Sequence, residues 1–334
     1  MKRKGTILFY RLFILSISFL LVGCKAQIKI EEKPLALKVK ISRGAFVKQE
    51  GENFDTFNFI NEYDYEGVDT EDKVINNFNL LSNTYTYFRG TNYFINYKDN
   101  DIKVEEENVS NFKISPKGNY VFYFANNEYL QPINFNLEEN TSELIENKAI
   151  ISGKFIDWFN DDQLIFYGID VENKVNGIFT YDIVTKKEAL LYEINNGFIS
   201  FLEYIDGKVY FVQKDFDDNG VLKSIDEEGN IKEVCLDITE ISDVEVSDEK
   251  IYVLGKIKNN VYSIYEVSTG VAHRIVYDFP SSINIEKGLS INENGELMFM
   301  GFTNNKKSEI FNYSDDGIAL ISKSEGEYNF INVK

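Results

Sequence analysis

One short pattern returns along most of the chain: a polar turn followed by a strand of alternating apolar residues. It reads SPKGNYVFYF from residue 115, NDDQLIFYG from 160, IDGKVYFVQ from 205, SDEKIYVLG from 247 and NENGELMFMG from 292. The aligned strand residues are spaced by 44, 45, 42 and 46 positions and are Tyr120, Leu164, Val209, Ile251 and Leu297. Such a period indicates supersecondary units that bury their apolar surface only against one another.

Each repeat holds further strand-like runs around this pattern. A run such as KFIDW precedes the turn, and a second strand such as GIFTYDIVTKK and a third apolar run such as HRIVY follow it. Four short strands per repeat, without helical spacing, are typical of the blades of a β-propeller. A β-sandwich also has short strands and turns, but it would not repeat at this period. The sequence therefore predicts an all-β propeller of four-stranded blades.

The remaining segments bear on the number of blades. Residues 82–107 fit a sixth copy, and residues 36–61 supply about three more strands, ALKVKIS, AFVKQ and TFNFIN. The tail EYNFINVK at 327–334 supplies one more. Pairing these N- and C-terminal strands would complete a seventh blade and close the ring, which removes exposed strand edges. We expect seven blades in one domain over residues 36–334; six blades with an N-terminal addition is the alternative.

The blade pattern resembles that of TolB-like propellers, whose repeats run roughly F-S-P-D-G, a strand, then I-Y-x-x-D. Ile114-Ser115-Pro116-Lys117-Gly118 matches the first part, and Phe179-Thr180-Tyr181-Asp182 is similar to the second. The resemblance implies a role in protein–protein contact in the cell envelope. The sole tryptophan, Trp158, lies in a first strand, and we expect it to pack in the core between blades.

The first 23 residues are typical of a signal peptide. Lys2, Arg3 and Lys4 precede an uncharged, mostly apolar run from Leu12 to Val22. This run is shorter than the roughly 20 residues that span a bilayer as a helix. We therefore expect residues 1–23 to be cleaved.

The run ends Leu21-Val22-Gly23-Cys24, which resembles the lipobox of bacterial lipoproteins. The resemblance implies that the Cys24 thiol carries a diacylglyceryl lipid and that residues 24–35 form an anchor and tether. Two acyl chains give durable anchoring. We expect a monomer on the extracellular or periplasmic side of the membrane; a cleaved leader with an incidental cysteine is the alternative.

The charge balance excludes one class of partner. Residues 1–23 hold four basic and no acidic residue, so their removal takes the formal net charge from −19 to −23. Binding to nucleic acid needs cations that neutralise phosphates. We therefore expect no nucleic-acid partner.

Most catalytic constellations are missing from the sequence. His273 is the only histidine, and Cys235 is the only cysteine besides Cys24. His273 is expected at the surface of an outer strand, and Cys235 is expected to be buried. A single histidine and a single further cysteine are too few for a zinc site, and they do not indicate a Ser-His or Cys-His pair. No GxxxxGK or GxSxG motif occurs. These absences favour a non-enzyme, although carboxylate-pair hydrolysis stays open because the chain has 54 acidic residues.

One local motif predicts a metal site. Residues 215–220 read Asp-Phe-Asp-Asp-Asn-Gly, which resembles the calcium loops of EF-hand and dockerin-type sites. The hypothesis assigns Asp215, Asp217 and Asn219 as side-chain ligands, Val221 as a carbonyl ligand and Asp226 as the residue at loop position twelve. The alternative is a plain hairpin turn, which Asn-Gly also favours. No other cofactor is expected.

Two loops combine aromatic residues with Asn and Arg, YFRGTNY at 87–93 and FANNEYLQ at 124–131. That mixture suits contact with a sugar or a peptide, and it also suits an ordinary hairpin. The function expected is a protein- or ligand-binding scaffold for an envelope protein or an extracellular ligand. An envelope enzyme that cleaves glycans or peptides with carboxylates in the propeller channel is the alternative. A deep pocket with paired carboxylates of shifted pKa would favour the enzyme, and an exposed aromatic patch would favour the scaffold.

Overall fold

A computed structural model describes residues 39–61, 64–268, 270–303, 307–322 and 326–334. The predicted signal peptide, Cys24 and tether lie outside these ranges. Within them, all regular secondary structure is β-strand, as the repeat predicts. The described residues contain no helix that is long and apolar enough to cross a membrane.

The strands are short and follow one another closely along the chain. The first eleven are β1 (Phe46–Glu50), β2 (Asn53–Asn61), β3 (Asp64–Val68), β4 (Val74–Phe78), β5 (Tyr85–Arg89), β6 (Asn92–Tyr97), β7 (Asn100–Lys103), β8 (Val109–Ile114), β9 (Tyr120–Asn126), β10 (Leu130–Asn136) and β11 (Thr141–Leu144). The next eleven are β12 (Ile150–Trp158), β13 (Gln163–Asp170), β14 (Val175–Asp182), β15 (Lys187–Glu193), β16 (Phe198–Ile205), β17 (Lys208–Lys214), β18 (Gly220–Asp226), β19 (Ile231–Ser247), β20 (Lys250–Ile257), β21 (Tyr262–Ser268) and β22 (Val271–Arg274). The last seven are β23 (Ser282–Ile283), β24 (Leu289–Ile291), β25 (Leu297–Phe302), β26 (Glu309–Ser314), β27 (Gly317–Leu320), β28 (Glu327–Phe330) and β29 (Asn332–Val333).

In the described part of the chain these strands form six sheets, in which hydrogen-bonded neighbours are mostly consecutive. Strands β8–β11 and β12–β15 form two four-stranded sheets, and β16–β22 form a seven-stranded sheet. Strands β4–β7 with β29, and β23–β27, form two five-stranded sheets. The aligned residues of the repeat lie at or near the start of β9, β13, β17, β20 and β25, the second strand of each unit. The repeat thus predicted the hairpin that opens every unit.

Strand β19 departs from the expected pattern of separate strands. Its 17 residues pair with β18 at one end and with β20 at the other, so the seven-stranded sheet contains two repeats. The segment between Cys235 and Ser247 contains neither glycine nor proline, and nothing in it stops strand pairing. Register shifts between Ile238 and Ser247 bend the strand instead, as β-bulges do.

The two ends of the described chain share a sheet of order β28-β1-β2-β3. Strand β28 pairs antiparallel with β1, from Gln49 opposite Glu327 to Phe46 opposite Phe330. The predicted pairing of N- and C-terminal strands is therefore present. The expectation of a strand over ALKVKIS was wrong for residues 39–42, which are irregular, and residues 36–38 lie outside the described part. The fourth strand of this sheet is instead β3, whose polar sequence gave no apolar alternation to recognise.

Turn glycines make the close contacts between sheets possible. Gly118, in the turn that precedes β9, has a φ of +72°, which L-residues rarely adopt. A Cβ atom there would lie 1.9 Å from the Ser82 hydroxyl oxygen, in the loop after β4. Glycine is thus required at position 118 for two reasons: the positive φ of the turn, and the close contact with Ser82.

The core consists of apolar clusters between successive units. On β13, Leu164 and Phe166 pack with residues of β9 and β12, whereas Ile165 packs with residues of β16 and β17 on the other face. Similar clusters join the remaining pairs of units, including Met298 of β25 with Phe46 of β1. Alternating side chains of a strand point to opposite faces, so each sheet supplies half of two clusters.

Trp158 lies in one of these clusters, as expected, and its side chain is 2% exposed. It packs among residues of β9, β12 and β13, with its ring beside that of Tyr120. Its indole Nε1 donates a hydrogen bond to the Lys113 carbonyl oxygen of β8 at 2.9 Å. The side chain therefore joins two sheets by both packing and a hydrogen bond.

Replacing Trp158 by Ala should lower the free energy of unfolding by roughly 3–5 kcal/mol, because it leaves a cavity between two sheets. Urea unfolding followed by circular dichroism measures this change. Val184→Ala is the matched control, since Val184 is exposed in the hairpin between β14 and β15. Equal stability of the two variants would contradict the core role of Trp158.

Candidate functional site

The innermost strand of several units carries one polar residue between two apolar residues. The five triplets are Phe-Lys-Ile, Ile-Asp-Trp, Leu-Glu-Tyr, Val-Glu-Val and Leu-Ser-Ile. Each central residue lies opposite an apolar residue of the next strand, in the pairs Lys113–Phe122, Asp157–Ile165, Glu203–Tyr210, Glu245–Tyr252 and Ser290–Met298. None of these residues belongs to a motif that the sequence alone marks as functional. The signal that would have found them is a polar residue at one register position of every first strand.

Four of these polar residues line a central cavity of about 930 Å³, and the fifth, Lys113, lies beside Asp157. Its walls include Asp157 of β12, Glu203 of β16, Glu245 of β19 and Ser290 of β24. Its mouth lies among the loops that join first and second strands, such as residues 206–207 and 292–295. A cavity of this size accepts a small molecule or the end of a peptide.

Asp157 is buried at one side of this cavity, with 1% exposure, and is held by two lysines. Its Oδ2 atom lies 2.7 Å from Nζ of Lys334 and 3.6 Å from Nζ of Lys113, and it accepts a hydrogen bond from the Tyr204 backbone N–H at 3.1 Å. Burial opposes ionisation of this carboxyl group, but the two lysines outweigh it and lower its pKa to about 2. Asp157 is therefore an anion at physiological pH, and its charge is balanced.

Asp243 and Glu245 share the cavity side of β19, because residues two apart on a strand face the same way. Asp243 accepts hydrogen bonds from the backbone N–H groups of Leu289, at 2.7 Å, and Val244, at 2.9 Å. Burial and the neighbouring charge of Glu203 raise the pKa of Asp243 to about 7. Burial and the charges of Asp243 and Glu203 raise the pKa of Glu245 well above its usual range.

No described lysine or arginine forms an ion pair with Asp243 or Glu245. Lys113 instead lies 3.9 Å and Lys334 4.0 Å from Oε1 of Glu203, besides their contacts with Asp157. The cavity thus contains two carboxyl groups that hold protons near neutral pH. The charges of Lys113 and Lys334 oppose the raised pKa values of Asp243 and Glu245 but do not outweigh burial and the neighbouring carboxyl groups. Such groups can donate or accept protons, and they can receive a cation as a counter-charge.

The predicted calcium loop folds as the tight hairpin between β17 and β18. Asp215 Oδ1 accepts hydrogen bonds from the backbone N–H groups of Asp217 and Asn219, both at 2.9 Å. Val221 lies one residue inside β18, whereas Asp226 lies at the far end of that strand and accepts bonds from Asn230.

The structure therefore does not bring Asp226 together with the other four residues. Among the described residues, no group of three or more His, Cys, Asp or Glu side chains is arranged to hold a metal ion. Calcium binding by Asp215, Asp217, Asn219 and Val221 stays a prediction.

The remaining singled-out residues lie where the sequence placed them. Cys235 is buried, and burial raises the pKa of its thiol to about 11, so it is not a nucleophile near neutral pH. His273 is exposed on β22, opposite Glu266 of β21. Of the two aromatic loops, the first buries Tyr87, whereas the second exposes Tyr129. Cys24 lies outside the described residues.

Several solved structures are similar to this chain at low sequence identity. Oligogalacturonate lyase in complex with manganese has a TM-score of 0.57 and 9% identity, over 81% of this chain and 83% of that one. TolB from Acinetobacter baumannii has a TM-score of 0.47 and 14% identity, over 85% and 80%. The β-propeller domain of the Trilobed protease from Pyrococcus furiosus has a TM-score of 0.49 and 16% identity, over 85% of each chain. No family model and no curated protein matches the sequence.

Successive antiparallel sheets, with four strands per repeat and their first strands around a central cavity, are typical of one architecture. The chain has the β-propeller fold. The predicted propeller fold is therefore confirmed, and the closer resemblance to TolB-like propellers stays a prediction. Identities this low do not carry the activity of any similar protein over to this propeller.

Replacing Glu245 by Gln should stabilise the propeller more at high pH than at low pH. In the unfolded chain this group ionises near 4.5, whereas in the folded chain ionisation needs a higher pH. The free energy of unfolding of the parent protein therefore falls as the pH rises above 4.5, because the unfolded chain loses this proton first. E245Q cannot ionise and so removes this loss of stability. Thermal unfolding of E245Q and of the parent protein at about pH 5 and about pH 8 measures this difference. We expect E245Q to raise Tm more at the higher pH.

Glu249→Gln is the matched control, because Glu249 is exposed in the loop before β20. The same change in Tm at both pH values, or a change equal to that of E249Q, would contradict the raised pKa of Glu245.

Proposed function

We propose that the chain is a bacterial lipoprotein, anchored through Cys24 outside the cytoplasmic membrane, whose propeller binds a ligand in its central cavity. The single observation that carries the binding role is the pair of cavity carboxyl groups, Asp243 and Glu245, neither of which forms an ion pair with a described lysine or arginine. A positively charged ligand group, such as an amine, would supply the missing counter-charge. The ligand class that fits is therefore a polyamine or a lysine-bearing or amino-terminal end of a peptide.

We also propose that the domain over residues 36–334 is a closed ring of seven blades. Two observations support it. The seven-stranded sheet contains two repeats, so the six sheets make seven units, and apolar clusters lie between successive units, including the last and the first. The pairing of β28 with β1 supplies the strand that would close such a ring.

Calorimetric titration of the full chain in detergent with spermidine tests the cavity. Fully N-acetylated spermidine is the matched probe, because acetylation removes the amine charges. We expect spermidine to bind and the acetylated form not to bind. Binding should be tighter at about pH 8 than at about pH 6, because Asp243, with a pKa of about 7, ionises in this interval.

E245Q and Asp243→Asn should each weaken spermidine binding by roughly tenfold, a loss typical of a charge-assisted contact. E249Q should leave it unchanged, since Glu249 lies outside the cavity lining. Equal affinity of all variants would show that spermidine binds the acidic surface rather than the cavity, and the proposal would fail.

A second candidate is an envelope hydrolase that acts on glycans or peptides. One observation favours it: the cavity holds a carboxyl group with a pKa of about 2, Asp157, and another with a pKa of about 7, Asp243. Carboxyl groups with separated pKa values can divide the roles of acid and base. Mass spectrometry of glycan and peptide probes after incubation separates the candidates, because turnover that is lost in D243N would support the hydrolase.

Lipid anchoring has its own test. Cys24→Ala should release the protein from membrane pellets, because a lipidated cysteine is the proposed attachment point. Cys235→Ala is the control and should stay in the membrane fraction. A C24A protein that remains in the pellet with an unprocessed leader and unchanged mass would argue against lipidation.

A further inference from the structure

Four hairpins between second and third strands expose large apolar side chains. These are Tyr129 at 65% exposure, Val171 at 61%, Phe216 at 81% and Val261 at 51%. They belong to four successive units of the propeller. Strands in each unit are antiparallel, so these hairpins lie at the end opposite the cavity mouth. We call residues 126–130, 170–175, 214–220 and 257–262 together the hairpin face.

The most exposed of these residues stands on a well-ordered turn. Besides the two backbone hydrogen bonds described above, Asp215 accepts one at its Oδ2 atom from Asn219 Nδ2 at 3.0 Å. Asp218 has a φ of +67° and pairs with Lys214 at 2.9 Å. Phe216 is therefore presented by a turn whose conformation is already fixed. Binding through Phe216 would then lose little conformational entropy of the backbone.

Neighbouring hairpins of this face are also joined to each other. Lys258 donates a hydrogen bond to Asn219 Oδ1 at 3.4 Å, which links the hairpins that present Phe216 and Val261. A Cβ atom on Gly153, in β12, would lie 2.4 Å from Leu130 Cδ2, beside Tyr129. The hairpins of Phe216 and Val261 are thus in direct contact, and the hairpin of Tyr129 packs on β12.

Acidic residues accompany the apolar ones. Glu128 precedes Tyr129, Glu172 follows Val171, and Asp217 and Asp218 follow Phe216. The Asp218 side chain is 78% exposed. A surface that combines exposed aromatic and aliphatic residues with carboxylates is complementary to an apolar pocket rimmed by basic side chains.

We propose that the hairpin face docks a protein partner that presents an apolar pocket rimmed by lysine and arginine, with Phe216 inserted in the pocket. The acidic residues disfavour the anionic surface of a membrane, which repels them. A second copy of this chain is disfavoured as well, because a two-fold contact would place like charges opposite each other. This role goes beyond the cavity, which lies at the other end of the strands.

The test places the photocrosslinking residue p-benzoylphenylalanine at position 216 of the full chain in its native host cell. Val184 is the matched control position, since it is 65% exposed at the end of the strands where the cavity opens. We expect position 216 to crosslink to one protein, identified by mass spectrometry, and position 184 not to crosslink to it.

That partner, once purified, is titrated against the full chain and its variants. Phe216→Ser should weaken binding by roughly tenfold or more, as for an aromatic hot spot, and Val184→Ser should not. Asp217→Asn with Asp218→Asn should lower the affinity and its dependence on salt. Crosslinks only to phospholipid or to a second copy, no protein crosslink, or equal affinity of F216S and the parent protein would each overturn the proposal.

Discussion

Every four-stranded sheet of this propeller has two apolar faces, and it can bury them only against the sheets before and after it. On β9, Val121 and Tyr123 pack toward one neighbour, while Phe122 and Phe124 pack toward the other. A single sheet with both faces exposed to water would not be stable. The apolar alternation of each strand, the tight turns such as Gly118 and the position of Trp158 between two sheets all serve this mutual burial.

Because the sheets pack face to face, the free edge of each first strand is not covered by another sheet. These edges line the central cavity, and their polar residues meet there. Asp157 is buried at this place without a net charge cost, because Lys113 and Lys334 lie beside it. Asp243 and Glu245 form no such ion pair, and they retain protons at pH values where surface carboxyl groups have lost them. A cation that enters the cavity favours the ionised form of these groups, and this is the physical basis of the proposed cation binding.

The two ends of the strands differ in chemistry. The mouth end opens into a cavity lined by carboxyl groups, which suits a small or flexible ligand, while the described residues of the hairpin face do not line this cavity and present Phe216 and other apolar residues among carboxylates. The cavity has the shifted carboxyl pKa values expected of an enzyme, whereas Tyr129 and Phe216 are separate exposed aromatic residues rather than the aromatic patch expected of a scaffold. A propeller with two such surfaces could bind a ligand at one end and a protein at the other, and this arrangement agrees with the proposed role of a binding lipoprotein.

The sequence by itself determined the fold class and most strands of the repeats, because turns and alternating apolar residues are local signals with a fixed spacing; it missed β3 and placed a strand at residues 39–42 where none forms. It also placed Trp158 and Cys235 in the core and His273 at the surface. Only the tertiary structure decided that β19 joins two repeats, that Asp226 lies away from Asp215, and that Lys113, Asp157, Glu203 and Glu245 meet. Those carboxylates come from units some 40 residues apart in the sequence. Their pKa values depend on burial and on one another's charge, neither of which exists until the sheets have packed.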